Sequence, residues 1–153
     1  MIELRVPTVA LAAEVACTDG RTLAGHVFVP AASHHSGPMR PEEWINEPQP
    51  FFFFLPDHAE APVILNKHTV IMVTLQGAEE TEGEVPFGPE RRVVIECGER
   101  RIEGLLRIEM PQNLQRVQDY LNCGELFVTL TDGPRHYLVQ KHHITRVIEM
   151  GKE

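Results

Sequence analysis

The apolar residues of the chain fall in short runs cut by turn signals, the pattern of a strand-rich protein rather than of a helical bundle. Val9 to Thr18 reads as a strand, Asp19-Gly20 as a hairpin turn and Arg21 to Val29 as the return strand. Gly25, inside that return strand, marks a bend, a bulge or a close backbone approach. Strands are expected next at Phe51 to Leu55, Val63 to Leu65 and Val70 to Leu75. The same order returns further on: Arg91 to Cys97 and Arg100 to Glu109 flank a Gly98-Glu99 turn, and Leu126 to Leu130, Tyr137 to Val139 and Ile144 to Met150 follow.

The return is visible residue by residue. Ile64-Leu65-Asn66-Lys67-His68-Thr69-Val70-Ile71-Met72-Val73 recurs seventy-four positions later as Leu138-Val139-Gln140-Lys141-His142-His143-Ile144-Thr145-Arg146-Val147. Both copies run apolar pair, side-chain amide, Lys-His and then a stretch closing on Val. Leu23-Ala24-Gly25 likewise matches Ile102-Glu103-Gly104. Each hairpin is followed by a helical segment. Pro111 to Leu121 places Leu114, Val117, Tyr120 and Leu121 on one face, with Asn113 as N-cap and Asn122 and Gly124 as the stop. The first half has only Arg40 to Asn46, about two turns long, inside a loop spanning 31–50. Trp44-Ile45-Asn46 nevertheless matches Tyr120-Leu121-Asn122. Between the halves, Gln76 to Glu90 holds five Glu, two Pro and three Gly. The chain therefore divides into a first repeat at 1–77, a linker at 78–90 and a second repeat at 91–150.

Five strands with a tight kink before the last one suggest a small, strongly bent barrel in each half. The segment Lys141-His142-His143-Ile144-Thr145-Arg146-Val147 resembles the end of the Sm-like fold in the bacterial RNA chaperone family Hfq. There an apolar strand, a Lys-His pair and a short β-branched strand occur in that order. The two hairpins, each with a Gly in its second strand, are similar to the first strands of that fold. The resemblance implies a mainly β chain of two tandem Sm-like five-stranded small barrels, each with a helical insertion between strands two and three. It departs from the family in that position of the helix, and in carrying Asn66 or Gln140 where the RNA chaperones usually have an aromatic. What it implies for function is an RNA pocket at Lys67, His68, Lys141 and His142. The plainer alternative is that a kink between short strands is a convenient exposed place for polar residues.

Charge argues against the nucleic acid. The formal net charge is −8, with 4 basic against 8 acidic residues in 1–78 and 10 against 14 in 79–153. No basic half is hidden, and phosphate contacts set most nucleic-acid affinity. Arg91, Arg92, Arg100, Arg101 and Arg107 form a cluster, but Glu96, Glu99, Glu103 and Glu109 interleave with it, as on a solvated sheet face with cross-strand pairs. Convergence of Lys67, Lys141 and the arginines on one face would favour RNA; surrounding carboxylates would favour a protein partner.

Other chemistry is sparse. His26, His34, His35 and His58 invite a metal reading, yet no Cys lies within four residues of a second Cys or His ligand, so neither metal nor cofactor is expected. The chain has no GxSxG elbow, HExxH or phosphate loop, and it is read as not an enzyme. Cys17, Cys97 and Cys123 lack CxxC spacing and point to a reducing, cytoplasmic setting. No apolar run is long enough to span a bilayer.

Phe51-Phe52-Phe53-Phe54-Leu55 sends two rings inward and two outward. Something must cover the outward pair, either the 31–50 loop or a partner subunit. The reading that follows is an assembly or adaptor protein that binds protein partners through barrel edges, with contacts assigned to Trp44, Phe52 and Phe54. Self-association through unclosed edges is expected with it, as a ring or as a closed two-lobed unit.

Overall fold

The computed structural model describes residues 7–31, 39–76, 89–108 and 116–150. Its first half runs β1 (Thr8–Cys17), β2 (Thr22–Pro30), α1 (Pro41–Ile45), β3 (Phe51–Pro56), β4 (Val63–Asn66) and β5 (Val70–Gln76). The second half runs β6 (Glu90–Cys97), β7 (Arg100–Arg107), α2 (Val117–Leu121), β8 (Phe127–Asp132), β9 (Arg135–Gln140) and β10 (Arg146–Glu149). The chain is mainly β, and a short helix lies between the second and third strands of each half, as the sequence pattern leads one to expect. The helix expected over 111–121 is observed from Val117, after an extended Arg116; its N-cap Asn113 lies outside the described residues. So do most of the 78–90 linker and residues 32–38 of the 31–50 loop.

Pairing is antiparallel throughout and follows one scheme in both halves. In the first, β1 pairs with β2 and β5, β2 with β3, and β3 with β4. In the second, β6 pairs with β7 and β10, β7 with β8, and β8 with β9. The halves do not close into separate barrels. β5 pairs with β9, from Met72 opposite Val139 to Gln76 opposite Arg135, and joins them into one open sheet of ten strands, β10-β6-β7-β8-β9-β5-β1-β2-β3-β4.

Two apolar cores result, and they interlock at that join. The first is built on Val15, Val27, Phe54, Val73 and Leu75, and it also takes in Phe127 and Leu138 from the second half. The second is built on Ile95, Leu106, Leu130 and Val139, with Ile71 and Met72 of the first half against it. Strand bending makes such small cores possible, and glycine permits the bend. A Cβ on Gly25 would stand 2.1 Å from the Leu55 carbonyl oxygen, and one on Gly104 would stand 2.7 Å from that of Thr131. Both residues lie where the second strand of a half crosses from the first strand to the third. No helix among the described residues is long and apolar enough to cross a membrane.

The two glycines rank by what they approach. Gly25 faces only backbone, which cannot yield, whereas Gly104 also faces the flexible Leu130 side chain. Gly25→Ala is expected to lower stability by roughly 3 kcal/mol, the upper range for overpacking, and Gly104→Ala by about half as much. Urea unfolding midpoints at unchanged m-value check the order.

Candidate functional site

The Lys-His segments form single 3-10 turns, Lys67–Thr69 and Lys141–His143, between the last two strands of each half. A 3-10 turn leaves backbone groups to be satisfied from outside. In the first turn the Asn66 side chain accepts the His68 amide at 3.0 Å, and Thr69 Oγ1 donates to the Asn66 carbonyl at 2.8 Å.

The two lysines point inward. Lys67 is buried, and its Nζ donates to the Glu47 carbonyl at 2.8 Å. Lys141 Nζ donates to the Cys123 carbonyl at 2.7 Å. Their backbone amides bond the Pro50 and Leu126 carbonyls at 2.8 and 2.9 Å. Each lysine thus clasps the chain between the short helix and the third strand of its own half, a place where exposed carbonyls attract a cation. Burial pushes the Lys67 ammonium below the usual lysine range, and the nearby Glu47 carboxylate partly opposes this. Of the four residues assigned to RNA, the lysines are therefore structural clasps, while His68 and His142 face solvent.

The amide that precedes Lys-His has a larger role than the sequence suggested. Gln140 is fully buried, and its Nε2 donates to the Lys67 and Val70 carbonyls, across the join between the halves. His143 Nε2 donates to the His68 carbonyl at 3.0 Å, also across the join. Asn46, which ends α1, completes the set. Its Oδ1 accepts the Phe127 amide at 2.8 Å and its Nδ2 donates to the Phe127 carbonyl at 3.2 Å. Asn46 was legible only as a match to Asn122; its reach across the join was not.

Two arginines of the cluster are paired with glutamates across strands. Arg107 meets Glu90 at 2.8 Å, and Arg92 meets Glu103 at 3.8 Å. Arg146 on β10 meets Glu96 at 3.8 Å. Lys67 and Lys141 are turned away into their clasps, so the cations and the arginines do not form one positive face. His26 lies 3.8 Å from Asp57, while His34 and His35 lie outside the described residues. Among the described residues no group of three or more His, Cys, Asp or Glu is placed to hold a metal ion. Cys17 and Cys97 are buried free thiols whose pKa burial pushes up, which suits packing better than reactivity.

The aromatic assignments need one correction. Phe52 and Phe54 face the core, and Trp44 packs edge-on against Phe52 with ring centroids 5.3 Å apart. Strand parity puts Phe51 and Phe53 on the surface instead. Seven large apolar residues are exposed among those described: Val9, Phe51, Phe53, Val63, Ile64, Ile148 and Met150. Six of them, all but Val9, lie on β3, β4 and β10 or directly after β10, at the two open ends of the sheet.

Two substitutions probe the clasps and the join. Gln140→Leu should cost roughly 1–3 kcal/mol for each carbonyl it leaves without a donor, as read from urea unfolding. Lys67→Met should cost a similar amount at neutral pH and change the alkaline limb. The folded chain releases the Lys67 proton at lower pH than the unfolded chain does, so this group makes stability rise with pH between the two values. That rise should be absent from Lys67→Met in unfolding curves taken across the alkaline range. Compared with models of protein families, with curated proteins and with solved structures, the chain matches none.

Proposed function

We propose that the chain is a non-enzymatic assembly or adaptor protein of a bacterial cytoplasm, built from two tandem Sm-like modules, that binds protein partners by strand addition at its open edges. The observation that carries this is the gathering of six exposed large apolar side chains at the two unpaired ends of one sheet. An unpaired edge offers a row of N–H and C=O groups as a template, and chains normally blunt it with charge. β4, Val-Ile-Leu-Asn, carries none. Main-chain pairing at such an edge provides affinity, and the flanking apolar side chains provide specificity. The modular reading is supported by the shared pairing scheme of the halves, each with a Lys-His turn before its last strand.

Against an RNA surface stand the inward lysines and the glutamates paired with Arg92, Arg107 and Arg146. The two readings separate by fluorescence anisotropy with short U-rich and A-rich RNA at low and physiological salt. No binding is expected at either. Binding that weakens steeply with salt and disappears in a His68→Ala/His142→Ala variant would replace the edge reading with a nucleic-acid one.

A further inference from the structure

We infer that Cys123 is a site of oxidation by peroxide, and that the sulfinate formed there is held by Lys141 as an ion pair. The inference stands apart from the edge reading and concerns the lysine clasp of the second half.

Comparison of the halves singles out this residue. Asn46 and Asn122 end the two short helices, and the residue after each is the one whose carbonyl the lysine of the same half clasps. That residue is Glu47 in the first half and Cys123 in the second. The Glu47 carboxylate lies close enough to Lys67 for its charge to act on the ammonium. Lys141 has in the same place the sulfur of Cys123, 3.8 Å from its Nζ. A thiol sulfur is a weak acceptor beside an ammonium, whereas a carboxylate is a strong one. The second half thus repeats the cation of the pair and lacks the anion. Oxidation of the sulfur supplies it.

Access separates Cys123 from the other two thiols. Cys17 and Cys97 are buried at the ends of β1 and β6, within the two apolar cores. Cys123 is only half-buried, and Asn122 and Gly124 on either side of it are exposed. A Cβ on Gly124 would meet nothing within 4 Å, so the approach to the neighbouring sulfur is open. Cysteine oxidation follows exposure, and a small peroxide meets this sulfur first.

The chemistry uses hydrogen peroxide twice. In the first step the sulfur attacks one peroxide oxygen, the O–O bond breaks, and the thiol becomes a sulfenic acid with release of water. A second peroxide repeats the attack: another S–O bond forms, another water leaves, and the sulfinic acid gives its proton to solvent. Each step takes an electron pair from sulfur and reduces one peroxide to water. Oxygens added to a sulfur 3.8 Å from Nζ come within hydrogen-bond reach of the ammonium. An ammonium carries three donors, and the Cys123 carbonyl takes one of them. The sulfinate therefore adds to the clasp without displacing it, and ties the chain after α2 to the Lys141–His143 turn.

Peptide mass spectrometry of the folded chain after hydrogen peroxide treatment tests this. The peptide holding Cys123 should gain two oxygens that dithiothreitol does not remove, at peroxide levels that leave Cys17 and Cys97 as thiols. The oxidised chain should unfold at a higher urea midpoint than the reduced one. Cys123→Asp, which sets a permanent carboxylate beside Lys141, should raise the midpoint without peroxide. In Lys141→Met the oxidised and reduced chains should share one midpoint. Reaction of Cys17 or Cys97 ahead of Cys123 would overturn the inference. So would a product lighter by two hydrogens, which is a covalent sulfur–nitrogen bond to Lys141 in place of an ion pair. A midpoint that oxidation and Cys123→Asp both lower or leave unchanged would overturn it as well.

Discussion

The pairing of β5 with β9 is the constraint on which the rest of the structure depends. Each half taken alone is a bent sheet of five strands whose core is open on one side. Pairing the two edges places Phe127 and Leu138 in the first core and sets Ile71 and Met72 against the second. Burying one such side chain contributes about 1.5–3 kcal/mol, so each of them favours joining the two edges. The halves therefore complete each other and are not two finished domains in contact.

Polar groups at the join are satisfied with the same economy. A strand–turn–strand kink beside an apolar core leaves carbonyls that would be costly to bury unpaired. Gln140 meets two of them from the opposite half, His143 a third, and Asn46 both backbone groups of Phe127. Within each half, the lysine of the turn holds the end of the helical segment. The two lysines that suggest a binding pocket are thus consumed by the fold, while His68 and His142 face solvent. The large apolar side chains left exposed among the described residues lie mainly at the ends of the sheet.

Those ends differ from the join in length. β4 and β10 have four residues each, whereas β9 has six and β5 seven. The free edges thus offer fewer backbone groups than the two strands that meet at the join. The internal join, held in one chain, forms independently of concentration.

Much of the fold was legible along the chain because its signals are local. Turn glycines, strand runs, the Lys-His kink and the two short helical segments depend on neighbours within a few residues, and the repeat displayed each of them twice. Sequence reasoning also recognised that Phe51 to Phe54 must split between core and surface. It could not fix the parity: a strand slipped by one residue reverses every side chain, and the register is set by β4 and by the core across it. The direction of Lys67 and Lys141 was hidden for a similar reason, since a lysine at a kink is equally at home in solvent or on a carbonyl, and the carbonyls come from segments eighteen and twenty residues away. By itself, then, the sequence determined a mainly β chain in two matching halves. Only the tertiary structure decided that they share one open sheet, because which edges pair is settled by contacts between residues some seventy positions apart, where the apolar surface of one half completes the core of the other.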